Sequence, residues 1–532
     1  MGDIFLLLRT VRYLKLKQIT YRLYYTFRKK YQDFVRFNQK FNLYRKGKPL
    51  VFSPIIPNSQ SFKDNTFTFL NRSISFSDGI DWDYMDNGKL WAYNLNYFDF
   101  LNQKEMTPEI GQSLMYLFID QLKELKNANE PYPTSLRGMN WVKFLSIHNL
   151  EVKSLDRFLY SQYRILLDNL EYHILGNHLL ENGFSLLLGG YYFKGSELYL
   201  KGVEIISIEL REQILSDGAH FELTPMYHKI ILHRLLDSYN LIINNRDVYE
   251  DKVFEAFLLA KAEKMLGWLE KITFKNGTTP RVNDSTENIA PDSIQLFEYA
   301  KSLNVNWKKT ELSDSGYRLF ENNNLELFVD YGEIGPSYIP GHAHSDTFNF
   351  ILNFKENPII VDPGISTYDV GPRRQRERST SSHNTVRYGK VDQTEVWGGF
   401  RVGRRAKALI TSESSNSITG YHKGYAKYGV FHQRHFELND NTITILDKMV
   451  TKRKLLGKSS AYLHFHPDIK VIMTEKKVYV EGVEISFEGA ISTRIKEYTY
   501  AHGYNLTESA KVVEVIFKNE LKSNITLTAC NK

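Results

Sequence analysis

The sequence of 532 residues contains a single cysteine, Cys530, and lacks any apolar run long enough to cross a membrane. One thiol excludes an intramolecular disulfide and any zinc site built from cysteines. The apolar stretch 4–8 is interrupted by Arg9 and is shorter than the core of a secretion signal. We therefore expect a cytoplasmic protein, with the periplasm as the alternative location.

Signatures of nucleic-acid binding are also missing, although the formal net charge is +7. Basic residues are concentrated in the first fifty positions and in 373–378, but no helix-turn-helix, zinc-finger or RNA-recognition pattern accompanies them. We therefore expect an acidic glycan, and not a nucleic acid, as the partner of a basic face. The basic N-terminus is amphipathic, which predicts a peripheral contact with a membrane surface. The sequence leaves the oligomeric state open.

Composition and residue periodicity predict a folded chain with two main parts. Hydrophobic residues make up 42% and charged residues 24%, which is typical of a globular protein. Residues 1–90 are interpreted as a helical and mixed extension. A helical period dominates 91–311, whereas 312–532 alternates in strand-length runs separated by Gly, Asn and Asp. The predicted fold class is multidomain α+β, with an all-α array followed by an antiparallel β-sandwich.

The segment Gly341–Asp346 carries two histidines two residues apart, at the start of an alternating apolar and polar run. Residues i and i+2 of a strand point the same way, so we predict that His342 and His344 address one site. With Asp362 and His383, His344 forms a candidate zinc set, and His342 stays free beside it. The competing candidates for the third ligand are other histidines of the β part: His422, His432 and His435.

Four segments of the helical part interrupt apolar patterns with polar groups. They are Trp91–Asp99, Pro131–Trp141, Gly176–Gly183 and Asp217–His228. Each alone has an ordinary structural explanation, such as a buried Asn or Tyr whose polar atoms are satisfied.

Together with the β-part motifs, these segments resemble the heparinase II/III-like polysaccharide lyases. The resemblance runs from about residue 90 to 410 and rests on motifs in a fixed order: Asn177-His178, Glu222-x-x-Pro-x-Tyr227, Gly341-His-x-His-x-Asp346, Asp362-Pro-Gly and Ser382-His-Asn384. The segments 93–98 and 135–141 are similar to the branch encoded with bacterial surface-polysaccharide genes. The resemblance implies an incomplete α/α toroid followed by an antiparallel β-sandwich, with the site in the cleft between them.

The implied reaction is β-elimination on a uronate-containing glycan of exopolysaccharide, capsule or O-antigen metabolism. By resemblance, Tyr227 is the general acid and, for one substrate stereochemistry, also the base, while His342 is the other base candidate. Asn177 and His178 are candidates for neutralising the substrate carboxylate. The zinc, held by His344, Asp362 and His383, would maintain local architecture. The residues expected to bind substrate are Tyr93, Asn94, Arg137, Trp141, Glu222 and Arg374.

Two other functions remain open on the sequence. A glycoside hydrolase on the same scaffold needs two carboxyl groups across the cleft, which Glu222 with Asp284 or Asp346 could supply. A glycan-binding or assembly protein needs no catalytic set at all. The sequence does not decide whether Asp284 caps a helix or lines the cleft.

Overall fold

A computed structural model describes residues 2–34, 43–122, 127–452, 457–475 and 477–528; Cys530 lies outside these ranges. The chain begins with two helices, α1 (Gly2–Val11) and α2 (Leu16–Phe34). A small antiparallel sheet follows, made of β1 (Phe62–Lys63), β2 (Thr66–Phe69) and β3 (Arg72–Ser75). No helix among the described residues has both the length and the hydropathy needed to span a bilayer.

A helical array occupies the N-terminal half. Its helices are α3 (Lys89–Tyr97), α4 (Pro108–Gln121), α5 (Pro131–Ile147), α6 (Lys153–Asp168), α7 (Gly176–Tyr192), α8 (Ser196–Gln213), α9 (Pro225–Asn244), α10 (Lys252–Ile272) and α11 (Ser293–Ser302). Local sequence sets several starts: Thr107 accepts a hydrogen bond from Ile110 N at α4, and Asp292 forms a capping box with Gln295 at α11. The inner faces share one large apolar core.

Antiparallel strands fill the C-terminal half. They are β4 (Tyr317–Glu321), β5 (Leu325–Asp330), β6 (Phe350–Phe354), β7 (Asn357–Ile360), β8 (Val386–Tyr388), β9 (Val396–Trp397), β10 (Arg401–Val402), β11 (Ala408–Glu413), β12 (Ser417–His422), β13 (Val430–Leu438), β14 (Thr442–Thr451), β15 (Ser459–His464), β16 (Ile472–Met473), β17 (Lys477–Val480), β18 (Val483–Glu488), β19 (Ser492–Gly503), β20 (Leu506–Phe517) and β21 (Glu520–Leu527). A short helix, α12 (Pro372–Glu377), interrupts them.

Three sheets enclose the core of the β half. The largest has eight strands in the order β11-β12-β13-β14-β21-β18-β17-β16, and two four-stranded sheets have the orders β19-β20-β15-β8 and β4-β5-β6-β7. Apolar residues from all three sheets pack into one cluster. The long strands β13 and β14 alternate buried and half-buried residues, as expected when one face packs inward. The predicted fold class, helices followed by antiparallel sheets, is confirmed.

The strand predicted around the histidine pair is wrong. Strand β6 starts at Phe350, and His342, His344 and Phe348 lie in the loop between β5 and β6. Phe348 has a φ of 68°, which a strand does not allow. Contacts with other loops decide this conformation: His344 N donates to the side chain of Asn283. The two histidines nevertheless converge, because a residue outside the motif binds both.

Candidate active site

Asp284 binds both His342 and His344. It lies in the loop between α10 and α11 and is fully buried. Its Oδ2 accepts from His342 Nδ1 at 2.9 Å, and its Oδ1 lies 2.9 Å from His344 Nε2. Arg374 of α12 binds both carboxylate oxygens, with Nη2 2.6 Å from Oδ2. The sequence left open whether Asp284 caps a helix or lines the cleft. In the structure it is the centre of a buried ionic network that joins the two halves of the chain.

Tyr227, near the start of α9, packs its ring against His342. The ring centroids are 4.1 Å apart and the planes are tilted by 33°. His342 also borders Tyr368 and Phe400, at centroid distances of 5.9 and 6.0 Å. The hydroxyls of Tyr227 and Tyr368 are 3.4 Å apart. The helical half thus supplies a phenol and the β half an imidazole to the same place.

The environment of Tyr227 makes its hydroxyl a weaker acid than free tyrosine. Burial raises the pKa of Tyr227 well above its ordinary value, and the opposing effects of Tyr368 and Arg374 are smaller. A protonated phenol suits proton donation better than proton removal.

Asp284 also determines which nitrogen of His342 is basic. The carboxylate accepts a hydrogen bond from Nδ1–H of His342. The neutral ring therefore has its lone pair on Nε2. The His342 side chain is 13% exposed, whereas Asp284 is inaccessible. The buried carboxylate thus orients a partly accessible base.

Asn177, at the start of α7, lies against Glu222. Its amide nitrogen is 2.9 and 3.0 Å from the two carboxylate oxygens of Glu222. Glu222, which the sequence analysis expects to bind substrate, holds the amide of Asn177. The Leu175–Gly176 pair before Asn177 has positive φ at both residues, 64° and 61°, which turns the chain sharply into the helix.

His178 follows on the same helix and retains one accessible edge. Its Nδ1 lies 3.0 Å from Glu171 Oε1, and its side chain is 34% exposed. Burial lowers the pKa of His178, but the carboxylates of Glu171, Glu222 and Glu181 together outweigh this effect, and the net shift is upward. His178 therefore holds its proton more readily than a free histidine, and its charged form could attract an anionic ligand. Glu171 was missed in the sequence because nothing marked it as a partner of His178.

Aromatic side chains extend from His178 along the helical wall. Tyr132 lies 4.5 Å from the His178 ring, Tyr97 lies 5.9 Å from Tyr132, and Tyr93 lies 6.1 Å from Tyr97, all between centroids. Tyr93, predicted to bind substrate, belongs to this row, and its hydroxyl bonds Glu130. Flat rings with a polar tip are suited to stacking on sugars. The row is a candidate platform for a glycan.

Three residues predicted to bind substrate are corrected by the structure. Arg137 is 1% exposed and donates to the backbone oxygens of Asn96 and Ala128. Trp141 is inaccessible and packs among phenylalanines. Arg374 is 1% exposed and bound to Asp284, so it does not grip an acidic chain. Polar or aromatic character in the sequence could not separate these core roles from ligand contact.

Asn94 also takes a local role, because its amide donates to Leu90 O within α3. The remaining predicted residues, Tyr227, His342, Asn177, His178 and Glu222, surround the junction of the two halves. Glu222 acts electrostatically on both Tyr227 and His178, which places these groups near one another.

The candidate zinc ligands meet on the far side of Asp284. The rings of His344 and His383 are 5.2 Å apart, and Asp362 Oδ2 lies 2.8 Å from His383 Nδ1. Among the described residues, no three His, Cys, Asp or Glu groups form a ready-made metal cluster. However, His344 Nδ1, His383 Nε2 and Asp346 Oδ2 are buried without hydrogen-bond partners. Buried polar atoms rarely stay unpaired, so these donors fit a cation.

The competing histidines are committed elsewhere. His422 Nε2 lies 3.1 Å from His432 Nδ1, and His432 Nε2 lies 2.6 Å from Asp447, which also binds Arg434. His435 bonds Thr419. The rings of His422 and His432 belong to a hydrogen-bonded chain in the β core, and both nitrogens of His432 are already used.

Two family models match the sequence. The model described as heparinase II/III N-terminus matches residues 134–310, and the one described as heparinase II/III-like, C-terminal, matches 304–527. The chain belongs to the heparinase II/III-like family. The family models meet at 304–310, between α11 and β4.

Relatives of this heparinase II/III-like chain are distant. A heparin-sulfate lyase of Bacteroides stercoris is 24% identical over 326 residues, covering 55% of this chain and 46% of that protein. A heparin-sulfate lyase of Pedobacter heparinus is 25% identical over 242 residues, covering 40% of this chain and 36% of that protein. The chain therefore aligns with less than half the length of these curated relatives. A crystal structure of heparinase III covers 86% of this chain and 80% of its own, at 15% identity and a TM-score of 0.64, which shows a shared fold.

Proposed function

We propose that this protein is a polysaccharide lyase that cleaves a uronate-containing acidic glycan by β-elimination. The observation that carries the proposal is the contact of Tyr227 with His342, whose Nδ1 is held by Asp284. A lyase needs a base at C5 and an acid at the C4 oxygen, and these two rings are supplied from opposite walls. The heparin-sulfate lyases among the relatives support the same reaction.

His342 and Tyr227 divide the proton transfers in this mechanism. Nε2 of His342 removes the C5 proton, and the C5–H electron pair forms the C4–C5 double bond as the C4–O bond breaks. Burial keeps the phenol of Tyr227 protonated, so it has a proton to give to the departing oxygen. In a substrate whose C5 proton and C4 oxygen lie on the same face of the sugar ring, Tyr227 would have to remove the proton and then protonate the oxygen. Its burial opposes the removal, because burial disfavours the phenolate that would act as the base.

His178 and Asn177 would stabilise the charge that develops on the substrate carboxylate. The neighbouring carboxylates raise the pKa of His178, and its accessible edge can donate to a carboxylate oxygen. Asn177 is oriented by Glu222 and adds an amide donor. The tyrosine row beside His178 would hold neighbouring sugars. We propose an acidic bacterial glycan of exopolysaccharide, capsule or O-antigen metabolism as the substrate.

The hydrolase alternative finds less support. Asp284 is bound by two histidines and an arginine, and Glu222 is bound to Asn177. Asp346 is buried, and burial raises its pKa to about 6, but it lies in the zinc candidate region. No free pair of these carboxyl groups faces a shared opening, as glycoside hydrolysis requires.

The first experiment is to incubate the protein with acidic polysaccharides and follow the ultraviolet absorbance of unsaturated uronate. A rise is expected because β-elimination leaves a conjugated C4–C5 double bond. New reducing ends without absorbance would indicate hydrolysis. Tight binding to a glycan with neither signal would favour an assembly protein.

We also propose that the protein binds one zinc through His344 and His383, with Asp362 or Asp346 as the carboxylate. Asp284 and Asp362 each bond one histidine nitrogen, which leaves the other nitrogen available, a common arrangement around zinc. The metal would hold the loop that carries His342 and would take no part in the proton transfers.

Replacing His383 with alanine is expected to reduce bound zinc from about one ion per chain to less than about a tenth, because it removes one of two imidazole ligands. Elemental analysis of purified protein measures this directly, and the melting temperature should fall in parallel. His435→Ala is the matched control and should keep full zinc content. Equal metal content in both variants would remove the proposed site.

A further inference from the structure

The helix pair α1–α2 presents an apolar surface to solvent. Ten large hydrophobic residues in 4–27 are exposed: Ile4, Phe5, Leu7, Leu8, Val11, Leu16, Ile19, Leu23, Tyr24 and Phe27. Leu16, Leu23 and Phe27 are 78%, 56% and 69% exposed. With Ile19, they recur at helical spacing and form one continuous stripe. A soluble monomer rarely leaves such a stripe uncovered.

The opposite, polar face of α2 attaches to the body of the protein. Gln18 is inaccessible and donates to Ile174 O. Arg22 donates to His173 O, Tyr25 to Leu170 O and Arg28 to Asp168 O. This helix therefore reverses the usual amphipathic arrangement, with polar contacts inward and the apolar stripe outward. The attachment fixes the direction in which the stripe faces.

The charge around the stripe indicates what covers it. Residues 1–50 contain thirteen Lys and Arg and only two Asp or Glu. Lys17 and Lys30 of α2, and Arg12 in the turn between the two helices, are exposed beside the apolar residues. Apolar side chains bordered by cations match the boundary between acyl chains and anionic headgroups. Pairing of two copies through this face would bring like charges together, which opposes self-association.

We propose that α1–α2 docks this protein on an anionic membrane surface. The stripe enters the headgroup boundary and the flanking cations contact anionic lipids. The proposed contact is peripheral, with both helices lying along the lipid surface. This inference stands on the helix pair alone and does not depend on the proposed lyase activity.

The docking face is connected to the candidate active site. Arg9 pairs with Glu395 at 2.9 Å, and Trp397 donates to Thr10 at 3.1 Å. Phe400, three residues after Trp397, borders the ring of His342. Membrane contact would therefore place the cleft close to the lipid surface, where a membrane-associated glycan is available.

Flotation of the full chain with lipid vesicles tests the proposal. We expect at least about tenfold tighter binding to vesicles of phosphatidylcholine with phosphatidylglycerol than to phosphatidylcholine alone, weakened by added salt. The double variant Leu23→Glu, Phe27→Glu should lose at least about tenfold in binding. Val253→Glu, at a residue 83% exposed on α10, is the matched control and should bind normally.

Circular dichroism and thermal unfolding establish that the double variant is folded, since both positions are on the surface. Absence of binding to the anionic vesicles, or equal binding by the double variant, overturns the proposal. Light scattering of the free protein tests whether a second copy of the chain covers the stripe. A dimer that the double variant dissociates, with no vesicle binding, would assign the stripe to a second copy instead.

Discussion

Replacing Tyr227 with phenylalanine is expected to lower kcat by about 100- to 10,000-fold, the usual contribution of a positioned general acid. The ring would still pack on His342, whose centroid lies 4.1 Å away, so the wall of the cleft should not change. Glycan affinity should consequently stay within about twofold. The measurements are the rate of unsaturated-uronate formation and a separate equilibrium titration with the same glycan.

Tyr368→Phe is the matched control, because it removes a hydroxyl 3.4 Å from that of Tyr227 while leaving the proposed acid in place. We expect at most about a tenfold loss from it. Full activity of Tyr227→Phe would disprove the assignment of the acid. Parallel loss of binding and turnover would show that the hydroxyl serves recognition and not proton transfer.

Replacing Asp284 with asparagine is expected to destabilise the fold by about 3–5 kcal/mol, the cost of leaving a buried partner charge unpaired. Asparagine preserves the shape of the side chain but leaves the guanidinium of Arg374 without its carboxylate. The midpoint of denaturant unfolding measures the change. Glu287→Gln, in the same loop and 56% exposed, should alter stability by less than about 1 kcal/mol.

The pKa of Asp284 determines how the stability difference between wild type and Asp284→Asn depends on pH. Burial raises the pKa of Asp284, but Arg374 and the two histidines override it, and the net pKa lies well below the usual value. Its stabilisation is therefore present above the unfolded-state pKa near 4 and is lost as pH falls through the lower folded-state pKa. The stability gap between wild type and Asp284→Asn should be constant above about pH 5 and should narrow in acid. A pH-independent gap would mean that charge pairing at Asp284 is not its source.

The sequence predicted the order of helices and sheets because side-chain periodicity reports burial directly. It also singled out Tyr227, His342, Asn177 and His178, which the structure places at one junction. It failed where the role of a residue depends on distant partners. Arg137 and Arg374 look like ligands for an acidic chain, but buried acceptors elsewhere in the fold bind both.

The role of Asp284 also depends on distant partners, and the sequence did not reveal it. A carboxylate after Asn283 could cap a helix, and only the fold reveals that its partners are 58, 60 and 90 residues away. The histidine pair converged for a reason other than the predicted one: two hydrogen bonds to this carboxylate, and not strand alternation, bring His342 and His344 together. Spacing alone contained no information about that third residue.

The network around Asp284 also limits how the protein can be divided. Its carboxylate belongs to the loop before α11, whereas Arg374, His342 and His344 follow the boundary at 304–310 where the two family models meet. A cut at that boundary looks natural in sequence, yet each fragment would inherit half of an ion pair. The two halves are therefore not interchangeable modules. Chimaeras between relatives would have to transfer Asp284 and Arg374 as a unit.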